Sequence, residues 1–75
     1  MSFGKNPHVA KAEAAEQRAI EAGDEASWRQ AWLEAGQLWE RAADRETDGK
    51  RRAIYGAKSD AARAQLDVGF VAPTA

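Results

Sequence analysis

Ser27 to Ala43 reads SWRQAWLEAGQLWERAA and holds all three tryptophans of the chain. On a helical wheel Trp28, Ala31, Trp32, Ala35, Leu38, Trp39, Ala42 and Ala43 gather on one side. Arg29, Gln30, Glu34, Gln37, Glu40 and Arg41 gather on the other. Apolar residues at i, i+3, i+4 and i+7 are the pattern of an amphipathic helix with one face turned to a core. Gly36 lies inside this helix, where glycine costs about 0.8–1 kcal/mol relative to alanine. Its place at the edge of the apolar stripe, four residues after Trp32, points to a second helix approaching closely there. Leu33 falls on the polar side, as single exposed leucines commonly do.

The flanking sequence supplies helices to cover that stripe. Asn6-Pro7 is a helix start, because asparagine caps and proline fits the first helical position, where its missing N–H is an orphan in any case. A first helix is expected over 7–22, with Gly23 as its C-terminal cap. Val9, Ala12, Ala15, Ala19, Ile20 and Ala22 give it a broad, shallow apolar face. Glu16 projects between Val9 and Ile20, and the plain expectation is a carboxylate reaching water from the edge of the stripe. The alternative is a pairing with an arginine of the second or third helix.

Asp24 or Ser27 caps the second helix, expected over 25–46, and Glu25 near its start suits the helix dipole. Thr47 or Asp48 caps a third, expected over 50–67. That helix carries two apolar stripes: Ala53, Ile54, Ala57, Ala61 and Ala64 on one, and Tyr55, Ala62 and Leu66 on another further round. One stripe can face the other helices, and the second is the flank of a wide core contact or a surface for something else. Residues 1–5 are expected to be a mobile lead, and 68–75 a mobile tail in which Val68, Phe70 and Val71 either fold back or bind elsewhere. The fold class is therefore all-α: a single domain forming a small antiparallel three-helix bundle.

Seventy-five residues bound the core. A chain of this size buries only about 60% of its unfolded surface. There is no cysteine, so neither a disulfide nor a thiolate metal site braces it. Alanine buries little area per residue, so the tryptophans, at about 150–250 Å² for each aromatic, must supply much of the buried surface. The net charge is −1, which gives no global signal for nucleic acid or an anionic membrane. The halves differ modestly, at −3 for residues 1–40 and +2 for residues 41–75. No apolar run approaches the roughly 20 residues that span a bilayer, and the N-terminus lacks the apolar stretch of a signal peptide. A cytoplasmic protein is the expectation.

The spacing Trp32-x2-Ala35-Gly36-x2-Trp39 resembles the first helix of a tetratricopeptide repeat, Trp-x2-Leu-Gly-x2-Tyr. Ala57-x3-Ala61-x2-Ala64 is similar to that family's second helix, and Ala15-x3-Ala19-x2-Ala22 to the second helix of a preceding half-repeat. Ala57 falls about nine residues later than the 34-residue repeat places it, and the closing proline is missing. The resemblance implies a tetratricopeptide-like helical hairpin plus one helix, of the kind used as protein-binding scaffolds, and implies no catalysis.

The residues give little sign of chemistry. His8 is the only histidine, with no second histidine or cysteine at metal-ligand spacing. Ser2, Ser27 and Ser59 have no adjacent base in sequence, and no glycine-rich phosphate loop is present. No catalytic residue, metal ligand or cofactor is assigned. Lys50-Arg51-Arg52 opposes the dipole at a helix start, which costs stability, so these three are the candidate contacts for an anion or an acidic partner. Interspersed Asp44, Glu46, Asp48 and Asp60 weigh against nucleic acid, leaving a small nucleic-acid-associated regulator as the alternative function. The leading expectation is a non-catalytic protein–protein interaction module with an unidentified protein partner, or a homodimer. Its candidate partner-binding residues are Trp28, Tyr55, Leu66 and Phe70, with Trp28 the most exposed of the tryptophans.

Overall fold

The structure is a computed structural model and describes residues 6–71. Three helices follow one another: α1 (Pro7–Glu21), α2 (Glu25–Arg45) and α3 (Gly49–Val68). Each start is fixed by a side-chain cap. Asn6 accepts from the His8 amide at 3.0 Å, Asp24 from Ser27 at 2.9 Å and Asp48 from Arg51 at 3.0 Å. These bonds satisfy amides that the helix itself leaves unpaired. The ends differ from one another. At α1, Ala22 turns extended and its amide bonds back to Ala19, so the expected glycine cap at Gly23 is not used. At α3, Gly69 takes φ +95°, a conformation in which a Cβ would be strained.

α2 is the centre of the all-α bundle. Both α1 and α3 pack along it, and they scarcely touch each other. Asn6 Nδ2 donates to the Ala42 carbonyl at 2.9 Å, so the start of α1 lies beside the end of α2. Ala42 is among the last four residues of α2, whose carbonyls lack helical partners, and Asn6 supplies one. Phe70 lies against Trp28, so the end of α3 lies beside the start of α2. The packing is thus antiparallel throughout. The overall dimensions are 43 × 25 × 16 Å, a slab rather than a closed cylinder.

Ala12 and Ala15 of α1 meet Ala35, Leu38, Trp39 and Ala42 of α2 and Ala62 of α3 in one buried cluster. Val9, Trp32 and Tyr55 pack partly buried around it. Among the described residues Trp39 is the one large side chain buried almost completely, at 1% exposure. The small residues let the helices close on it from both sides. Gly36 marks the tightest approach: a Cβ there would come within 3.2 Å of the Arg63 side chain. The buried Ser59 hydroxyl donates to the Gly36 carbonyl at 2.9 Å, locking α3 to α2 at that height.

Two expectations about the tryptophans and the tail change. Trp28 is buried, because Phe70 folds back over it with ring centroids 5.7 Å apart. Trp32 is the half-buried tryptophan. Val68 is the last residue of α3 and Phe70 packs on the bundle, so the part of 68–75 that is described is not a free tail. The lead 1–5 and residues 72–75 lie outside the described residues.

Candidate functional site

The three helices bring the most varied chemistry together around Trp39. Its indole Nε1 donates to Glu16 Oε2 on α1 at 2.7 Å. Tyr55 of α3 stacks on its ring, with centroids 5.7 Å apart and planes 28° from parallel. The Lys58 ammonium sits 5.1 Å from the ring centroid, in range of a cation–π attraction. Glu16 therefore neither points idly to water nor pairs with an arginine. Its carboxylate satisfies the only polar atom of a buried indole, which would otherwise be a costly orphan. Glu16 satisfies the indole N–H, and Tyr55 and Lys58 lie against the ring, so the cluster explains cohesion rather than ligand chemistry.

The two stripes of α3 are sorted by this packing. Tyr55, Ser59, Ala62 and Leu66 form the inner face, with Ser59 and Ala62 buried and Tyr55 and Leu66 half-buried. Tyr55 and Leu66, expected as partner contacts, are thus drawn toward the core. Ala53, Ile54, Ala57, Ala61, Ala64 and Val68 form the outer face, and all six are exposed. Ile54 is 51% and Val68 77% exposed. At 100° per residue the centres of the two faces lie nearly opposite. The alanines of α3 that carry the tetratricopeptide resemblance, Ala57, Ala61 and Ala64, are all on the outer side.

The outer face is ordered along its length and across its width. Ile54, Ala57, Ala61, Ala64 and Val68 follow alternating steps of three and four residues, the spacing of a two-helix seam. Arg51 and Lys58 flank the seam on one side, and Asp60 and Asp67 on the other. Beside Asp60 runs an open groove of about 450 Å³ between α2 and α3, lined by Ala53, Gly56 and Ala57 and by Asp44 of α2. Glu40 at its margin is paired with Arg63 at 3.0 Å. Composition did not single out Ile54 and Val68. The signal that finds them is the unbroken three-four spacing, which the inner stripe breaks with Ser59.

The basic cluster at the start of α3 is exposed at Lys50, Arg51 and Arg52. The Arg51 guanidinium lies 3.7 Å from Asp48, the cap of its own helix, and its amide is held by the same carboxylate. One of the three charges is therefore already balanced. A second cavity, of about 440 Å³, lies at the α1–α2 turn among Arg18, Glu21, Asp24 and Ser27. Two of its charged groups are already engaged, since Asp24 caps α2 and Arg18 pairs with Glu34. The carboxyl of Asp24 is held below the usual carboxylate range by the hydrogen bond from the Ser27 amide.

Among the described residues no group of three or more His, Cys, Asp or Glu side chains stands together as a metal site. Nor is any described helix long and apolar enough to cross a membrane. The buried His8 Nδ1 and Trp32 Nε1 have no hydrogen-bond partner among the described residues. Compared with family models, curated proteins and solved structures, the chain finds no match.

Proposed function

We propose that the chain is a non-catalytic protein–protein interaction module of the cytoplasm, and that the outer face of α3 is the surface it presents. The observation that carries this reading is the double-faced character of α3. A surface helix needs one apolar stripe to reach its core, and α3 has a second, exposed one with Ile54 and Val68 at its ends. Exposing aliphatic side chains in a row costs solubility, and such patches mark interaction surfaces more often than scattered single residues do. The partly balanced charge at Arg51 weakens the case for nucleic acid, whose binding draws on many unpaired cations.

A photo-reactive benzoylphenylalanine placed at Ala61, on the outer face, tests this against one placed at Gln37, on the exposed polar side of α2. Irradiation in native cell extract, with and without nuclease, is expected to link a protein at position 61 and not at position 37 in both cases. Equal labelling at both positions, or nucleic acid as the only adduct, would reject the reading.

A further inference from the structure

The outer face of α3 also says what covers it. We propose that α3 pairs with α3 of a second copy of this chain, side by side and in parallel, about a two-fold axis running along the helices. The inference rests on the reading of that face as an interaction surface and names its occupant.

Spacing along the seam and charge beside it choose the partner and its orientation. Ile54, Ala57, Ala61, Ala64 and Val68 keep the three-four rhythm from residue 54 to residue 68, a rise of about 21 Å at 1.5 Å per residue. That rhythm keeps a seam facing a partner helix, and alanine at three of its five positions lets the two backbones come close. A lone helix in water gains nothing from the pattern. The flanks then choose the orientation. Arg51 and Lys58 line one side of the seam, and Asp60 and Asp67 the other. In a parallel two-fold pair the right flank of one helix meets the left flank of its mate, so basic faces acidic. An antiparallel two-fold pair sets each flank against itself, acid beside acid.

The groove beside the acidic flank fits the same arrangement. It holds Asp44 of α2 and Asp60 of α3, and its floor of Ala53, Gly56 and Ala57 admits a long side chain. In the parallel pair the flank that carries Arg51 and Lys58 in each copy lies along this groove of the other, and pairing there requires Arg51 to leave Asp48 and Lys58 to leave the Trp39 ring. The inner face of α3 is occupied by α2, so the two bundles stand on opposite sides of the seam and do not collide. A seam of one helix is smaller than the roughly 800 Å² per partner of a standard interface. The pair is therefore weak, and it is tested at about 100 μM, a concentration that would saturate a micromolar affinity.

Because the chain has no cysteine, single thiols report the alignment. Ile54→Cys and Val68→Cys each change an exposed side chain at opposite ends of the seam. A disulfide needs Cα atoms roughly 4.4–6.8 Å apart, far less than the length of the seam. In a thiol–disulfide redox buffer, each variant alone is expected to form a covalent dimer, and an equimolar mixture is expected to form few 54–68 links. Circular dichroism checks that both variants stay folded, and a denatured control sets the background. Mixed 54–68 links with neither self-link would mean an antiparallel pair and overturn the parallel alignment. No link above background, with a monomer mass by sedimentation of the unaltered chain, would overturn the second copy as occupant. That outcome leaves the interaction surface itself to be decided by the labelling at Ala61, so the two failures are distinguishable.

Discussion

Trp39 Nε1 donates a 2.7 Å hydrogen bond to Glu16 Oε2 across the α1–α2 contact. This bond joins the most buried large side chain among the described residues to a carboxylate that stays partly in contact with water. It lets a small alanine-rich core hold a tryptophan without leaving its N–H unpaired. Glu16→Ala should cost about 1–3 kcal/mol, the penalty of an orphaned buried donor. In a domain of this length each kcal/mol lowers Tm by about 4–8 °C. Glu16→Gln keeps an acceptor and should lose less. Thermal melts of both variants check this, and equal losses would mean that the bond contributes only packing.

Trp32 gives the opposite case. Its Nε1 is buried without a partner among the described residues, so the ring carries a polar atom that it does not use. Trp32→Phe removes that donor and keeps an aromatic ring. Trp39→Phe loses both the bond to Glu16 and the volume of a fully buried indole. Chemical denaturation should find Trp32→Phe less costly than Trp39→Phe by at least about 1 kcal/mol.

Gly36 and Arg63 should be coupled. An added Cβ at Gly36 meets Arg63 Cγ and Nε at 3.2 Å, so the Arg63 side chain, which pairs with Glu40, must shift slightly. Against this stands a helix-propensity gain of about 1 kcal/mol for glycine to alanine. Gly36→Ala alone should therefore be close to neutral, while in an Arg63→Ala background it should stabilise by about 1 kcal/mol. A double-mutant cycle measures the difference, and strict additivity would show that the close approach imposes no strain.

The cap at Asp24 predicts a pH dependence. The Ser27 amide bonds to the ionised carboxylate, and the folded pKa is lowered by that bond. A lowered folded pKa means stability that is fully present above the unfolded value, about 3.9 for aspartate, and lost as pH falls through the folded value. Asp24→Asn keeps a capping oxygen that does not titrate. Denaturation from pH 7 to pH 3 should show wild type losing more stability than the variant at the acid end. Parallel curves would remove Asp24 as the source.

The path of the chain was legible where large side chains carry the periodicity. Trp28, Trp32, Leu38 and Trp39 define the buried side of α2, and Asn6, Asp24 and Asp48 announce the helix starts through their capping chemistry. Gly36 announced the close approach of α3. Sequence could not sort the faces of α3, because alanine looks alike on both. Ala61 is exposed and Ala62 is 1% exposed, and only the partners decide which is which. Tyr55 was drawn inward by stacking on Trp39, and Leu66 lies on the same inner side. The burial of Trp28 depends on Phe70, which lies beyond the helix-ending Gly69 and outside any periodic pattern. Glu16 reads in the sequence as facing water or pairing with an arginine, and its partner is an indole N–H 23 positions away.

Ala61 and Ala62 are neighbours that α3 sends to opposite sides, and the pair offers the most direct measurement. Ala61→Glu and Ala62→Glu are compared by thermal melting with circular dichroism and by sedimentation at the same concentration. Ala62→Glu places an unpaired carboxylate in the core and should cost about 4 kcal/mol or more, enough to unfold a marginal domain. Ala61→Glu should melt within about 0.5 kcal/mol of wild type, as surface changes do, and should abolish association through the outer face. If Ala61→Glu unfolds the chain as Ala62→Glu does, or if wild type self-associates and folded Ala61→Glu does so equally, the outer face of α3 is not the surface through which this protein acts.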